Sequence, residues 1–224
     1  MAARKRSAAK PKKPVPARRS PTPRGVEREV PAKQPSAAGK RSAGPSAAAL
    51  DPLGHVRQRV REVRDFPQPG VLFRDITPLL ADPKAFHIVL DQLAERFVGE
   101  HVDAIVGVES RGFIFGGALA ARLNASFVPV RKAGKLPYRV DRVSYSLEYG
   151  EAELEMHRDS LSEGASVVVV DDLLATGGTA AAAAELVHRQ GAFVSAFAFV
   201  IELDSLGGRS LLLPTPVISL LRYE

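Results

Sequence analysis

The chain has 224 residues, 31 Lys and Arg against 25 Asp and Glu, a net charge of +6 and no cysteine. That length carries one sizeable core, and the missing cysteines exclude disulfides, thiolate chemistry and Cys-ligated metals. No apolar run approaches the ~18 residues of a membrane span, and no secretory apolar stretch follows the basic N-terminus. The expectation is a cytoplasmic protein without membrane contact.

Residues 1–50 carry 13 Lys and Arg against only Glu27 and Glu29, a net +11, which leaves 18 basic and 23 acidic residues for 51–224. A segment of Ala, Pro, Lys, Arg and Ser cannot bury enough apolar surface to offset the entropy of ordering. It reads as a disordered basic tail, 1–50, ahead of one folded domain, 51–224. A helix is expected from Asp51-Pro52, with Val56, Val60 and Val63 at helical spacing. "FPQPGVLFRDITPLL" (66–80) reads as proline-punctuated loop. A second helix starts at Asp82-Pro83, with Phe86, Val89, Leu90, Leu93 and Phe97 on one face.

"DAIVGVE" (103–109) reads as a buried strand, 111–124 as the helix after it, and "SFVPV" (126–130) as another strand. Residues 131–151 are polar and turn-rich, and read as a mobile excursion. "VVVVD" (167–171), "FVSAFAFVIEL" (193–203) and "VISLL" (217–221) read as strands, with a helix over 179–190. Strands alternating with helices predict an α/β fold, a parallel central sheet with helices on both faces. Continuous Val and Ile runs suit strands buried on both sides.

In such sheets, ligands bind beyond the carboxyl ends of the strands. There the sequence reads "VVVVDDLLATGGT". Gly177 and Gly178 permit a turn whose N–H groups converge, and the following helix adds its unpaired N–H groups and positive dipole end. A phosphate suits that site, with hydroxyl donors from Thr176 and Thr179. Asp171 and Asp172 are acceptors for vicinal hydroxyls. A phosphate and a diol one loop apart describe a ribose 5-phosphate. No Lys follows the glycines as a P-loop requires, and GxGxxG is absent. An acid-capped strand-turn-helix is the plainer alternative. His55, His87, His101, His157 and His188 show neither metal-ligand spacing nor triad context, and read as structural or surface residues.

"VVVVDDLLATGGT" resembles the phosphoribosyl-diphosphate (PRPP) signature of the type I phosphoribosyltransferases. "FPQPGVLFRDITPLL", "GVESRGFIFG" and "SYSLEYGEAELE" narrow the resemblance to the adenine phosphoribosyltransferase family, over about residues 55–224. It implies the type I fold with a small hood and a flexible lid over 138–151. It also implies transfer of phosphoribose from PRPP to adenine, giving AMP and diphosphate, in a homodimer. By the resemblance, Ala175, Thr176, Gly177, Gly178 and Thr179 bind the 5-phosphate, and Asp171 and Asp172 the ribose hydroxyls. Glu109 and Ser110, joined by a cis peptide, lie with Arg111 in the diphosphate loop. Arg131 and Lys135 match positions that reach the diphosphate, within their own subunit or across a dimer interface. Lys132 beside them has a solvated basic loop as its alternative. Phe73 would stack on the purine, the backbone at Leu72 and Arg74 would read its edge, and Leu173 would cover the other face. For Leu72 and Phe73 the plainer role is core packing.

Glu148 matches the proposed general acid/base of the lid. Closure into a water-poor site raises a carboxylate's pKa, which suits proton transfer near neutrality. Tyr149 would help close the lid, and Tyr145 has packing as its alternative role. Mg²⁺ is implied as cofactor, held mainly by substrate oxygens and water rather than a protein cage. Two other functions remain open. One is a PRPP- or purine-sensing regulator on the same fold, to which the basic tail, with weak sequence-independent nucleic-acid contact, lends weight. The other is a 6-oxopurine phosphoribosyltransferase.

Overall fold

The computed structural model describes residues 51–146 and 151–224. The first helix forms where expected but is short. Helix α1 (Pro52–Arg57) has Pro52 at its start, and the Asp51 side chain accepts from Leu53 N at 3.1 Å. It ends before Val60 and Val63. The chain turns and becomes strand β1 (Arg61–Arg64), antiparallel to β2 (Leu72–Asp75). Helix α2 (Thr77–Leu80) follows, so 66–80 is not all loop. No hydrophobic alternation announces this small sheet. Ion pairs between its strands, Arg61 with Asp75 and Arg74 with Glu62, hold it instead. Its reversal uses Gly70 at φ +88°, whose N–H donates to Asp65 Oδ1 at 2.8 Å.

Helix α3 (Pro83–Glu95) is capped by Asp82 and buries Ala85, Val89, Leu90 and Leu93. Strand β3 (Ala104–Val108) leads into α4 (Gly112–Leu123) and then β4 (Ser126–Lys132). Strands β5 (Val140–Ser146) and β6 (Glu151–His157) pair as an antiparallel hairpin. The turn-rich excursion expected over 131–151 therefore contains all of β5 and the ends of β4 and β6. Just beyond it, β6 alternates Ala152, Leu154 and Met156 with Glu153 and Glu155, and Leu154 and Met156 are buried. Polar residues masked a strand because one of them, Glu155, is buried as well.

Strand β7 (Ser166–Leu174), α5 (Gly178–Arg189), β8 (Phe193–Leu203), α6 (Gly208–Leu212) and β9 (Val217–Tyr223) complete the fold. The sheet order is β5-β6-β4-β3-β7-β8-β9. β4, β3, β7, β8 and β9 run parallel, and the β5–β6 hairpin extends the β4 edge antiparallel. The valine run splits between two cores. Val167 and Val169 pack with Leu186, Phe197 and Phe199, while Val168 and Val170 pack with Val89, Leu93, Phe115 and Leu119. Both faces of β7 are covered, which is why its sequence does not alternate.

Candidate active site

The site lies at the carboxyl ends of β3 and β7, the two central strands. Strand β7 continues pairing with β8 through Leu174. The strand therefore runs three residues past the 167–171 expected, and Asp171 and Asp172 both belong to it. The loop proper is Ala175–Gly177. Gly177 stands at φ +86°, and a Cβ there would lie 2.7 Å from Gly208 O. No side chain caps α5, so its first N–H groups are available to an anion beside Ala175 and Thr179.

The carboxylates line a cleft of about 760 Å³ with Ser110, Arg111, Lys132, Ala175 and Thr179. The Asp171 carboxyl is raised well above its usual range, first by burial and then by the charge of Asp172. Asp172 is also raised by burial, with Arg111 opposing. Arg111 Nε is 3.1 Å from Asp172 Oδ2 but not aligned to donate, and Oδ2 is buried without a hydrogen bond among the described residues. An orphaned acceptor facing a cleft awaits a donor such as a hydroxyl. Gly112 lets β7 approach α4, since a Cβ there would sit 2.8 Å from Asp171 Oδ1.

Arg111 also borders a second, more apolar pocket of about 490 Å³ lined by Phe66, Phe73 and Ile76. Its guanidinium lies 5.6 Å from the Phe73 ring centroid, within cation–π range. Phe66 meets Phe73 edge-on at 5.1 Å. Leu72 is exposed and so is no core residue, while Arg74 is buried with its guanidinium 4.1 Å from the Tyr223 ring. Leu173 lines the large cleft.

The Glu109–Ser110 peptide is cis. The Glu109 carboxylate turns toward β4, accepting from Arg131 at 2.9 and 3.2 Å and from Lys132 N at 3.1 Å. The Arg131 contact leads in holding its pKa below the ordinary range. Arg131 is thus engaged inside the fold, and its Nη1 donates to Lys135 O at 3.1 Å. Lys132 reaches the cleft wall, but Arg131 and Lys135 do not. Tyr145 lines the cleft, and Thr179 Oγ1 donates to its hydroxyl at 3.3 Å. Glu148 and Tyr149 lie outside the described residues.

Glu153 and Leu154 in the cleft wall lie within "SYSLEYGEAELE" but were not singled out, and Gly208 beneath the glycine turn had no motif signal. Among the described residues no histidine lines the cleft. His55 meets Asp82, His101 meets Asp103, and His87 and His157 bond backbone carbonyls.

Residues 79–207 match the phosphoribosyl transferase domain family. An adenine phosphoribosyltransferase of Sorangium cellulosum is 66% identical over 176 residues, covering 76% of this chain and 88% of that protein. One from Methylococcus capsulatus is 55% identical, covering 76% and 100%. Among solved structures, adenine phosphoribosyltransferase of Thermoanaerobacter pseudethanolicus superposes with a TM-score of 0.75 at 47% identity, covering 76% of this chain and 99% of that one. The Saccharomyces cerevisiae enzyme, complexed with an imino-altritol bisphosphate and adenine, gives 0.72 at 42% identity, covering 76% and 98%. With the acidic pair, the glycine turn and the cis-peptide loop converging on one cleft of a type I phosphoribosyltransferase fold, the chain belongs to the adenine phosphoribosyltransferase family.

Proposed function

We propose that this protein transfers phosphoribose from PRPP to adenine, releasing AMP and diphosphate. The observation that carries the reading is the juxtaposition at Arg111: a cleft with paired carboxylates and a glycine turn on one side, an aromatic pocket on the other. The 5-phosphate sits on Ala175–Thr179, and the ribose hydroxyls donate to Asp171 and Asp172. The base lies by Phe73 and Leu173, read at its edge by the Leu72 and Arg74 backbone. In the reaction the C1–O bond to diphosphate breaks and a C1–N9 bond to adenine forms through an oxocarbenium-like state, with Glu148 taking the ring proton. Arg111, Lys132 and the backbone of Glu109–Ser110 stabilise the departing diphosphate.

The donor set fits Mg²⁺ in an oxygen-rich site: Asp171, Asp172 and Glu153 offer only oxygens, and the described residues hold no cluster of three or more ligands that could cage a metal. Bound through substrate oxygens and water, it would supply charge neutralisation for the leaving group. The protein is read as a homodimer, with Lys135 reaching the diphosphate within its own subunit or across the interface. The basic N-terminal segment is read as adding weak nucleic-acid contact.

The test is incubation with PRPP, Mg²⁺ and each purine in turn. AMP from adenine, with hypoxanthine, guanine and xanthine inert, is the expected result, because a site built for an exocyclic amine leaves buried polar groups unpaired against a carbonyl. Turnover of an oxopurine instead, or tight PRPP binding without any turnover, would overturn it in favour of the transferase or regulator alternatives.

A further inference from the structure

Strand β4 ends at Lys132, and the chain turns back through Ala133–Leu136 with Gly134 at φ +81°. Beneath that turn stands Glu155 of β6, fully buried. Its Oε1 accepts from Lys135 N and from Leu136 N, both at 2.7 Å, and its Oε2 meets Arg142 Nε at 3.3 Å. Burial raises the pKa of this carboxyl, but the backbone N–H groups of Leu136, Gly134 and Lys135 more than reverse that. The turn is tied elsewhere as well. Ala133 N donates to Glu153 O at 3.2 Å, and Arg131 bridges Lys135 O to Glu109.

A buried carboxylate is costly unless its lone pairs are met, and here the turn's own N–H groups meet them. The turn follows directly on Lys132, the last residue of β4, and Lys132 and Ala133 stand in the cleft wall beside Ser110 and Arg111. Two carboxylates therefore organise the diphosphate end from behind: Glu109 orders Arg131 and Lys132 N, and Glu155 orders the turn itself. We propose that Glu155 is a positioning residue for the diphosphate, holding the 133–136 turn so that Lys132 faces the leaving group. This rests on the reading of the cleft as the PRPP site.

The experiment titrates the full-length protein with inorganic diphosphate at fixed Mg²⁺ and, separately, with AMP, which lacks the diphosphate. Glu155→Ala should weaken diphosphate by about tenfold or more while AMP stays within about twofold, because only the turn that follows Lys132 loses its acceptor. Glu155→Gln keeps a carbonyl oxygen under the turn and should restore diphosphate affinity to within about threefold of wild type. Glu155→Asp keeps the charge but withdraws it, and should lose diphosphate affinity selectively. It carries the test if the alanine variant does not fold. In a Lys132→Ala background the Glu155→Ala effect should shrink, since both act on one contact. Wild type binding both ligands, with Glu155→Ala and Glu155→Asp unchanged toward diphosphate or equally weakened toward AMP, would overturn the role alone. Wild type binding neither ligand would overturn the cleft assignment and this role with it.

Discussion

At the scale of single residues the site trades stability for binding. Asp171 is held well above its ordinary pKa by burial first and by Asp172 second. A carboxyl with a folded pKa above its unfolded one contributes stability below the unfolded value, and that contribution is lost as pH rises through the folded value. At neutral pH the buried Asp171 carboxyl therefore costs the fold stability. Asp171→Asn retains an oxygen for Asp172 N, which donates to Oδ1 at 2.8 Å, and removes the charge. The variant should gain on the order of 1 kcal/mol, about 2–4 °C in Tm, at neutral pH. The gain should shrink as pH falls into the ordinary carboxylate range, and its KM for PRPP should rise about tenfold or more. Thermal melts across acid to neutral pH check this, and a lower Tm than wild type at pH near 7.5 would refute it. Glu148→Gln should cut kcat by roughly 10²–10⁴ with PRPP affinity nearly unchanged, the usual range for positioned proton transfer. Near-normal kcat in that variant, with chemistry rate-limiting, would remove Glu148 from the mechanism.

Among elements, the 175–177 turn and α6 act as one unit. A Cβ on Gly208 would lie 2.2 Å from Ala175 O and 2.8 Å from Gly177 N, both backbone atoms that cannot swing aside. Arg209 next to it is clamped by Glu202 at 2.5 and 2.9 Å, so α6 cannot easily retreat. Gly208→Ala should therefore displace the turn and weaken AMP about tenfold, a loss calorimetry would measure. Unchanged AMP affinity in a folded Gly208→Ala protein would mean that the turn does not rest on α6. The glycine pair at 177–178 was legible in sequence because turn chemistry is local. Gly208 was not, because its reason lies more than thirty positions away in the chain.

For the whole molecule, the described body contains its own two-faced core and every described site residue. The family matches cover about three-quarters of the chain, 76% for the Sorangium cellulosum protein. A chain beginning at Ala49 should behave as a dimer in light scattering and keep kcat/KM for both substrates within about threefold, under ~0.7 kcal/mol. Loss of activity on that deletion at low salt would make residues 1–50 part of the enzyme. The full chain, with +11 on that segment, should bind a short DNA duplex weakly, in a manner that fades steeply between about 50 and 200 mM salt. The shortened chain, net −5, should not.

What the sequence determined by itself is what depends on neighbours along the chain. The valine strand, the glycine turn, the α3 cap at Asp82-Pro83 and the β3–α4 and β7–α5 units all declare themselves locally, and their order dictates a parallel sheet with ligand-binding loops at its carboxyl edge. Tertiary structure decided whatever depends on partners distant in sequence. Residues 61–64 are a strand only because 72–75 pair with them, and residues 151–157 extend the sheet only because β4 offers an edge. Asp171 and Asp172 lie on β7 because β8 continues the ladder past them. Arg131 serves Glu109, and Glu155 serves the 133–136 turn, because a buried charge must find its partner wherever the fold brings one within reach.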